Sequence, residues 1–287
     1  MSAAHRAGVV ALVGRPNAGK STLLNRLAGQ KLAIVSAKPQ TTRSRILAVV
    51  TRPGAQLLLV DTPGFHEGGK VLNRALDAQV GETLDDCDVG LLLVDPARGW
   101  DSGYGALRER LAARGAPGLV VVTKADRPEA ARVAEALGAD LAVSARTGEG
   151  VEALLDALVA RLPEAPAFYP EDEVTDRTLR FLAAEEIREA VLEELAQELP
   201  YETAVEVVGF DESRPDLVRI EARLLVARES QKAIAVGRGG AMVRRIGTRA
   251  RLGLEALLDR RVFLELRVRV EPGWSQRPKR LKSLGYH

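Results

Sequence analysis

The residues whose chemistry is clearest stand together near the start of the chain: Gly14-Arg15-Pro16-Asn17-Ala18-Gly19-Lys20-Ser21, followed by Thr22. The spacing is G-x-x-x-x-G-K-[ST], the pattern of a loop that cradles phosphates. Its glycines let backbone N–H groups turn toward phosphate oxygens. Lys20 reaches the β- and γ-phosphates, and Ser21 offers a hydroxyl to Mg²⁺. A second group, Asp61-Thr62-Pro63-Gly64, ends a β-rich run. A carboxylate there suits the Mg²⁺ shell, and the Gly64 N–H is free to meet a γ-phosphate. Thr123-Lys124-Ala125-Asp126 and Ser144-Ala145 close two later apolar runs. The Asp126 carboxylate accepts from the N1 and N2 donors of guanine, a pair that adenine lacks on that edge. Lys124 would pack along the base, and the Ala145 N–H would meet O6. Together these groups predict GTP as the ligand. An ATPase or a small-molecule kinase has no use for the last two.

A phosphate loop works between a strand and a helix. Residues 8–13 are an apolar run before it, and Leu23, Leu24 and Leu27 recur at helical spacing within 22–30 after it. Residues 36–45 are polar and read as a loop carrying Thr41 and Thr42. The β-rich runs 46–52 and 56–60 are joined by Pro53-Gly54, so the first must be an antiparallel edge. Helices are expected at 71–84, 102–114, 128–137 and 150–161, and strands at 89–94, 119–122 and 141–143. Such alternation predicts an α/β fold, a doubly wound and mostly parallel sheet with its ligand groups at the strands' carboxyl ends.

With 46% apolar and 28% charged residues among 287, the chain has the composition of a globular protein able to bury a core. A single cysteine, Cys87, excludes an internal disulfide framework and a multi-cysteine zinc site. No apolar leader and no membrane-length apolar run are present, so a cytoplasmic location is expected. The net charge of +2 conceals an asymmetry: residues 171–227 carry −10 and residues 228–287 carry +10. A basic terminal segment of that size fits either a solvated face or the footprint of a polyanion.

Prolines 163, 166 and 170 with acidic neighbours mark a linker and a boundary. Beyond it the pattern changes to α+β. A helix is expected at 178–199, strands at 203–208 and 217–226, a helix at 231–236, another at 241–258 and a strand at 261–270. Between the last two helices lies Gly237-Arg238-Gly239-Gly240, a G-x-x-G turn with basic flanks that include Lys232, Arg244 and Arg245. In this order of elements it reads as a loop that clamps about four nucleotides of RNA backbone. The helix adds Arg249 and Arg251, and the tail adds Arg277, Lys279, Arg280 and Lys282. Trp274 and Tyr286 are candidates for base stacking, with a core role for Trp274 equally open. The acidic half of this region is expected to face away from RNA.

On these phrases, and on Pro39-Gln40-Thr41-Thr42-Arg43, the run 169–176 (YPEDEVTD), Leu199-Pro200-Tyr201 and the run 230–234 (SQKAI), the chain resembles the bacterial Era GTPase family over nearly its whole length. The resemblance implies a P-loop, Ras-like GTPase domain at 1–165, a linker at 166–176 and a type II KH RNA-binding domain with a basic tail at 177–287. It implies Mg²⁺ with GTP or GDP, and a switch in assembly of the small (30S) ribosomal subunit that binds 16S rRNA near its 3′ end. The family also contacts membrane peripherally.

By the same resemblance, Ser21, Thr42 and Asp61 form the metal set, and Lys20, Thr42, Gly64 and Asn17 the catalytic set. Asn17 sits where related GTPases hold a potassium ion; a side chain that caps the loop is the other reading. Two positions depart from common patterns. Phe65 stands where Ras-like enzymes carry the glutamine that orients water, as it is absent from this family too. Thr123 replaces an asparagine, and a hydroxyl reproduces only part of an amide's hydrogen bonding. These two departures motivate a rival reading, an RNA-binding scaffold with a degenerate nucleotide site. His66 reads as a solvated loop residue rather than a base.

Overall fold

In the computed structural model, which describes residues 4–36, 38, 41–64, 80–196 and 199–285, the chain divides into two units at Asp176 and Arg177. The first is built on strands that are apolar on both faces. β3 (Ala55–Asp61) and β4 (Val89–Val94) are buried at every position, as strands covered on both sides must be. With β1 (Arg6–Val13), β2 (Ile46–Arg52), β5 (Gly118–Val122) and β6 (Leu141–Ala142) they form a sheet of order β2-β3-β1-β4-β5-β6. All neighbours are parallel except β2 and β3, the hairpin that Pro53-Gly54 turns. The helices are α1 (Lys20–Ala28), α2 (80–86), α3 (Ser102–Ala113), α4 (Ala130–Leu137) and α5 (Val151–Val159). Strand order reverses at β1, with β3 on one side and β4 on the other, and a doubly wound sheet opens its ligand crevice at such a point.

The segment expected as a linker is fastened to this sheet. Gln56 is fully buried in β3; its Oε1 accepts from the N–H groups of Phe168 (2.8 Å) and Tyr169 (3.0 Å), and its Nε2 donates to the Tyr169 carbonyl at 2.9 Å. The Val49 N–H donates to the Val174 carbonyl at 2.9 Å, and Thr175 Oγ1 to the Leu47 carbonyl at 2.6 Å. Tyr169 packs on Leu47, Val49, Leu58 and Val60. A buried amide needs partners, and the strap supplies them.

The second unit is α6 (Leu179–Glu194), β7 (Ala204–Arg214), β8 (Leu217–Val226), α7 (Glu229–Val236), α8 (Ala241–Leu258), β9 (Arg261–Val270) and α9 (Pro278–Ser283). Its sheet has the order β7-β8-β9, antiparallel then parallel. Val218, Ile220, Ala222 and Leu224 of β8 alternate inward onto Ile187, Val191, Ile246, Ala250 and Leu254 of the helices. Several features differ from expectation. α6 stops at Glu194, and Leu199–Glu202 forms a 3₁₀ turn around Pro200, which lacks the N–H that an α-helix needs. β7 runs on to Arg214 through a bulge between Val207 and Gly209. The tail forms the short α9, opened by Pro278 at its first turn.

Candidate functional site

The phosphate loop closes on its own lysine. Lys20 opens α1, and its buried Nζ donates to the carbonyls of Gly14 (3.0 Å) and Arg15 (3.1 Å). Burial lowers its pKa to about 8, against the opposing pull of Asp61. Gly14 lies on the end of β4, where a Cβ would meet the Leu93 carbonyl oxygen at 2.5 Å. Asn17 takes a left-handed φ of +64°, a conformation asparagine tolerates better than most residues, so the backbone alone gives a reason for its presence. Gly64 presses on the same loop: a Cβ there would meet Pro16 N at 2.7 Å. Arg15, expected among the phosphate-contacting residues, is engaged by α3 instead. Its N–H donates to Tyr104 Oη at 3.2 Å and its Nε to Asp101 Oδ2 at 2.8 Å. Tyr104 is itself buried, donates to the Leu93 carbonyl at 2.6 Å, and thereby fixes the first turn of the loop.

Three elements bring the expected metal residues together. Asp61 Oδ2 accepts from Ser21 Oγ at 2.6 Å and from Thr42 Oγ1 at 3.1 Å, and the two hydroxyl oxygens are 3.0 Å apart. Asp61 is fully buried, and burial raises its pKa while Lys20 and the two hydroxyls pull it down. Its Oδ1 is buried without a hydrogen-bond partner. Among the described residues no group of three His, Cys, Asp or Glu side chains forms a closed metal cage. The donors present are hard oxygens with one carboxylate, a set that suits Mg²⁺ completed by phosphate oxygens and water. Ser21 and Thr42 would ligate it, and the orphaned Asp61 Oδ1 would accept from a metal-bound water. Thr62 is buried and donates to the Leu12 carbonyl at 2.8 Å, which holds the start of this segment on β1. Pro63 then leads into Gly64.

A second cleft, of about 250 Å³, shares Gly19, Thr22 and Lys124 with the phosphate cleft and is walled by Asp126, Ala145 and Arg146. Thr123 is buried; its hydroxyl lies 2.8 Å from the Ala18 carbonyl and 3.2 Å from that of Val94, tying loop to sheet. One hydroxyl proton serves one of these acceptors at a time, whereas an amide has two. Lys124 Nζ donates to the Asn17 carbonyl (2.9 Å) and to Asp95 Oδ2 (2.6 Å), which lays its stem across the cleft between them. Asp126 Oδ1 accepts from the buried Ser144 at 2.5 Å. That bond, then the Arg146 guanidinium, holds the carboxyl down to about 2, so it is ionised at any physiological pH.

In the second unit the glycine turn joins α7 to α8. Gly237, Gly239 and Gly240 have φ of +71°, +56° and +79°, and a Cβ on Gly237 would meet Met242 N at 2.8 Å. Arg238 projects from this turn, exposed, at the N-terminus of the 18-residue α8. Arg244 Nη2 donates back to the Gly239 carbonyl at 2.6 Å. Lys232 lies one turn before the loop, 3.9 Å from Glu229. Backbone donors, a helix N-terminus and an unburied guanidinium thus share one end of the unit, an anion-binding arrangement.

Residues 9–124 match the 50S ribosome-binding GTPase family, and residues 198–275 match the KH domain family. The GTPase Era of Stenotrophomonas maltophilia strain K279a is 45% identical over 295 residues, 98% of each chain. That of Xanthomonas campestris pv. campestris strain B100 is also 45% identical, over 98% of each. The chain belongs to the Era family of GTPases. A tyrosine-to-alanine variant of Aquifex aeolicus Era bound to GDP and aluminium fluoride superposes with a TM-score of 0.89 at 35% identity. An Era in complex with MgGDPNP and nucleotides 1506–1542 of 16S ribosomal RNA superposes at 0.91 and 34%. Both cover 98% of this chain and are themselves covered to 99%.

Several expectations change against this frame. Trp274 takes the core place: it is 3% exposed and packs with Ala204 and Leu225 beneath α9. Arg280 of the tail is not a free cation, since its guanidinium is forked between Glu206 (2.6 and 3.0 Å) and Glu271 (3.0 Å). Part of the acidic half is engaged by the basic helix, since Arg245 and Arg249 of α8 pair with Glu193 and Glu194 of α6. Phe65, His66 and Tyr286 lie outside the described residues, as does most of the helix expected at 71–84. Sequence reasoning passed over Asp95, Asp101, Tyr104 and Arg146. Asp95 and Asp101 were detectable as carboxylates just past β4, where such sheets place their ligand groups. Ile234 was missed too; it is 58% exposed on α7, three residues before the glycine turn.

Proposed function

We propose that this chain binds Mg²⁺–GTP in its first unit, hydrolyses it to GDP and phosphate, and uses that cycle to control an RNA site in its second. The observation that carries this reading is the meeting of Ser21, Thr42 and Asp61 within 3.1 Å, beside the buried Lys20. Held on Ser21 and Asp61, a threonine from the 41–45 loop is placed to complete a nucleotide-dependent shell. Mg²⁺ held there by Ser21 and Thr42 would neutralise charge building between the β- and γ-phosphates. Lys20 and the loop N–H groups would hold the phosphates, with the Gly64 N–H available for the γ-phosphate. Asn17 would hold a potassium ion beside the phosphates, which would supply the positive charge that an arginine finger gives elsewhere. When the γ-phosphate leaves, Thr42 is held only by its bonds to Ser21 and Asp61, which favours release of the loop. β2 begins four residues later and carries the strap at Leu47 and Val49, so release has a bonded route to Arg177, where the second unit starts.

The glycine turn, Arg238, Lys232 and Arg244 then take RNA, while Arg245 is paired with Glu194. Likeness over the whole chain to an Era solved with a 16S fragment supports 16S rRNA near its 3′ end, during 30S assembly. The match described by the 50S subunit spans only residues 9–124, the nucleotide half, and does not bear on the RNA partner. We place the protein in the cytoplasm. Among the described residues no helix is long and apolar enough to cross a membrane, so contact of the kind the family makes would be peripheral.

Single-turnover hydrolysis of GTP tests the enzymatic half. Cleavage is expected with Mg²⁺, lost in EDTA, and slower when sodium replaces potassium. No cleavage in any condition would leave an RNA-binding scaffold; equal rates in the two salts would remove the role of Asn17. Crosslinking to RNA in a cell extract, with sequencing of the attached fragment, tests the partner.

A further inference from the structure

Guanine recognition asks Asp126 for acceptor capacity on both carboxylate oxygens, because N1–H and N2–H project side by side. Each carboxylate oxygen offers two acceptor sites. Oδ1 has one taken, by Ser144 Oγ at 2.5 Å, and one open. Oδ2 has both taken by a single residue: Arg146 Nε donates to it at 3.1 Å and Arg146 Nη2 at 2.8 Å. The two partners differ in permanence. Ser144 is fully buried and also accepts from the Thr147 N–H at 3.2 Å, so it is fixed. The Arg146 side chain is 73% exposed and lines the base cleft itself. Guanine can therefore share Asp126 with Ser144 but must replace Arg146.

We propose that Arg146 is a latch on the guanine subsite, holding the Asp126 carboxylate in the nucleotide-free protein and leaving it when the base enters. The inference rests on the guanine role of Asp126. The latch serves specificity, because a purine without two donors on that edge gains no bond that offsets the lost pair. It also keeps the carboxylate aimed into the cleft, so the reading edge is preorganised without a ligand. An exposed ion pair is weak and screened by salt, so the latch is displaceable.

The test is GDP affinity and association rate for the wild type, Arg146→Ala and Arg146→Lys, measured with a ribose-labelled fluorescent GDP at low and high salt. A latch closed most of the time reduces apparent affinity by its closed-to-open ratio, and removing it should tighten GDP binding about two- to fivefold at low ionic strength. The gain should appear in the association rate, vanish at about 1 M salt, and be partly reversed by lysine. Unchanged or weaker binding in Arg146→Ala would overturn the latch, the second outcome showing that the arginine supports the bound base instead. Asp126→Asn, assayed against GDP and xanthosine diphosphate, separates the two levels. If that variant keeps wild-type preference for GDP, the guanine role of Asp126 fails. If it loses GDP and gains the xanthine nucleotide while Arg146→Ala changes nothing, only the latch fails.

Discussion

The ammonium of Lys20 is buried among loop carbonyls, and burial lowers its pKa to about 8. Two phosphate groups placed within reach favour the charged form, as a nearby opposite charge always does. Binding of GDP should therefore return the lysine toward or above its ordinary range, and the complex should take up a proton wherever the free lysine is partly neutral. With a free pKa of about 8, the neutral fraction is about 0.25 at pH 7.5 and about 0.75 at pH 8.5. The sign follows directly: affinity is full about a unit or more below pH 8 and declines as pH rises through 8, by about threefold between pH 7.5 and pH 8.5. Isothermal titration calorimetry in two buffers of different ionisation enthalpy reads the uptake, and fluorescence titration reads the affinity. Both are run in EDTA, so that Asp61, whose pKa moves the other way and whose Oδ1 awaits a metal-bound water, contributes no linked metal binding. An uptake below about 0.1 proton at pH 8.5 would show that Lys20 is already charged in the free protein, and that the loop carbonyls offset its burial.

Thr123→Val should weaken GDP binding about tenfold in the same fluorescence titration, because two loop and strand carbonyls lose their shared buried donor; Thr123→Asn, with two amide protons, should bind at least as tightly as wild type. Gln56→Leu should lower the unfolding free energy of the first unit by about 2 kcal/mol in urea, since three strap groups lose their partner. Limited proteolysis should then cut within 166–176, and a strap that stays protected would refute the fastening role of Gln56. Trp274→Ala should destabilise the second unit by about 3–5 kcal/mol, the usual cost of emptying a buried tryptophan site. Trp274→Phe should retain RNA affinity in a filter-binding assay, and selective loss of that affinity in a protein of normal melting temperature would restore the stacking role.

Most of the nucleotide site was legible because its chemistry is local in sequence. A phosphate loop needs its glycines and its lysine at set intervals, and the groups that serve the ligand must stand just past strand ends. Ser21, Asp61, Thr123, Asp126 and Ser144 could be named from that rule. The hairpin of β2 and β3 followed from a two-residue turn, and the α+β order of the second unit from its change of period. Other features depend on who meets whom after folding. Whether residues 166–176 hang free or lie on the sheet turned on one buried glutamine, and a polar residue inside an apolar strand says only that some partner exists. Trp274 was ambiguous because an aromatic ring serves a core and a base equally well; its burial under α9 settled the matter, and α9 is too short to announce itself by periodicity. Charge counting located the basic segment but not which cations stay available, since Arg280, Arg245 and Arg249 are partnered by carboxylates far away in the chain. Spacing along the chain established that phosphates and guanine are the chemistry at issue. Folding alone determined which side chains are left to perform it, because ion pairs and burial arise only where distant segments come into contact.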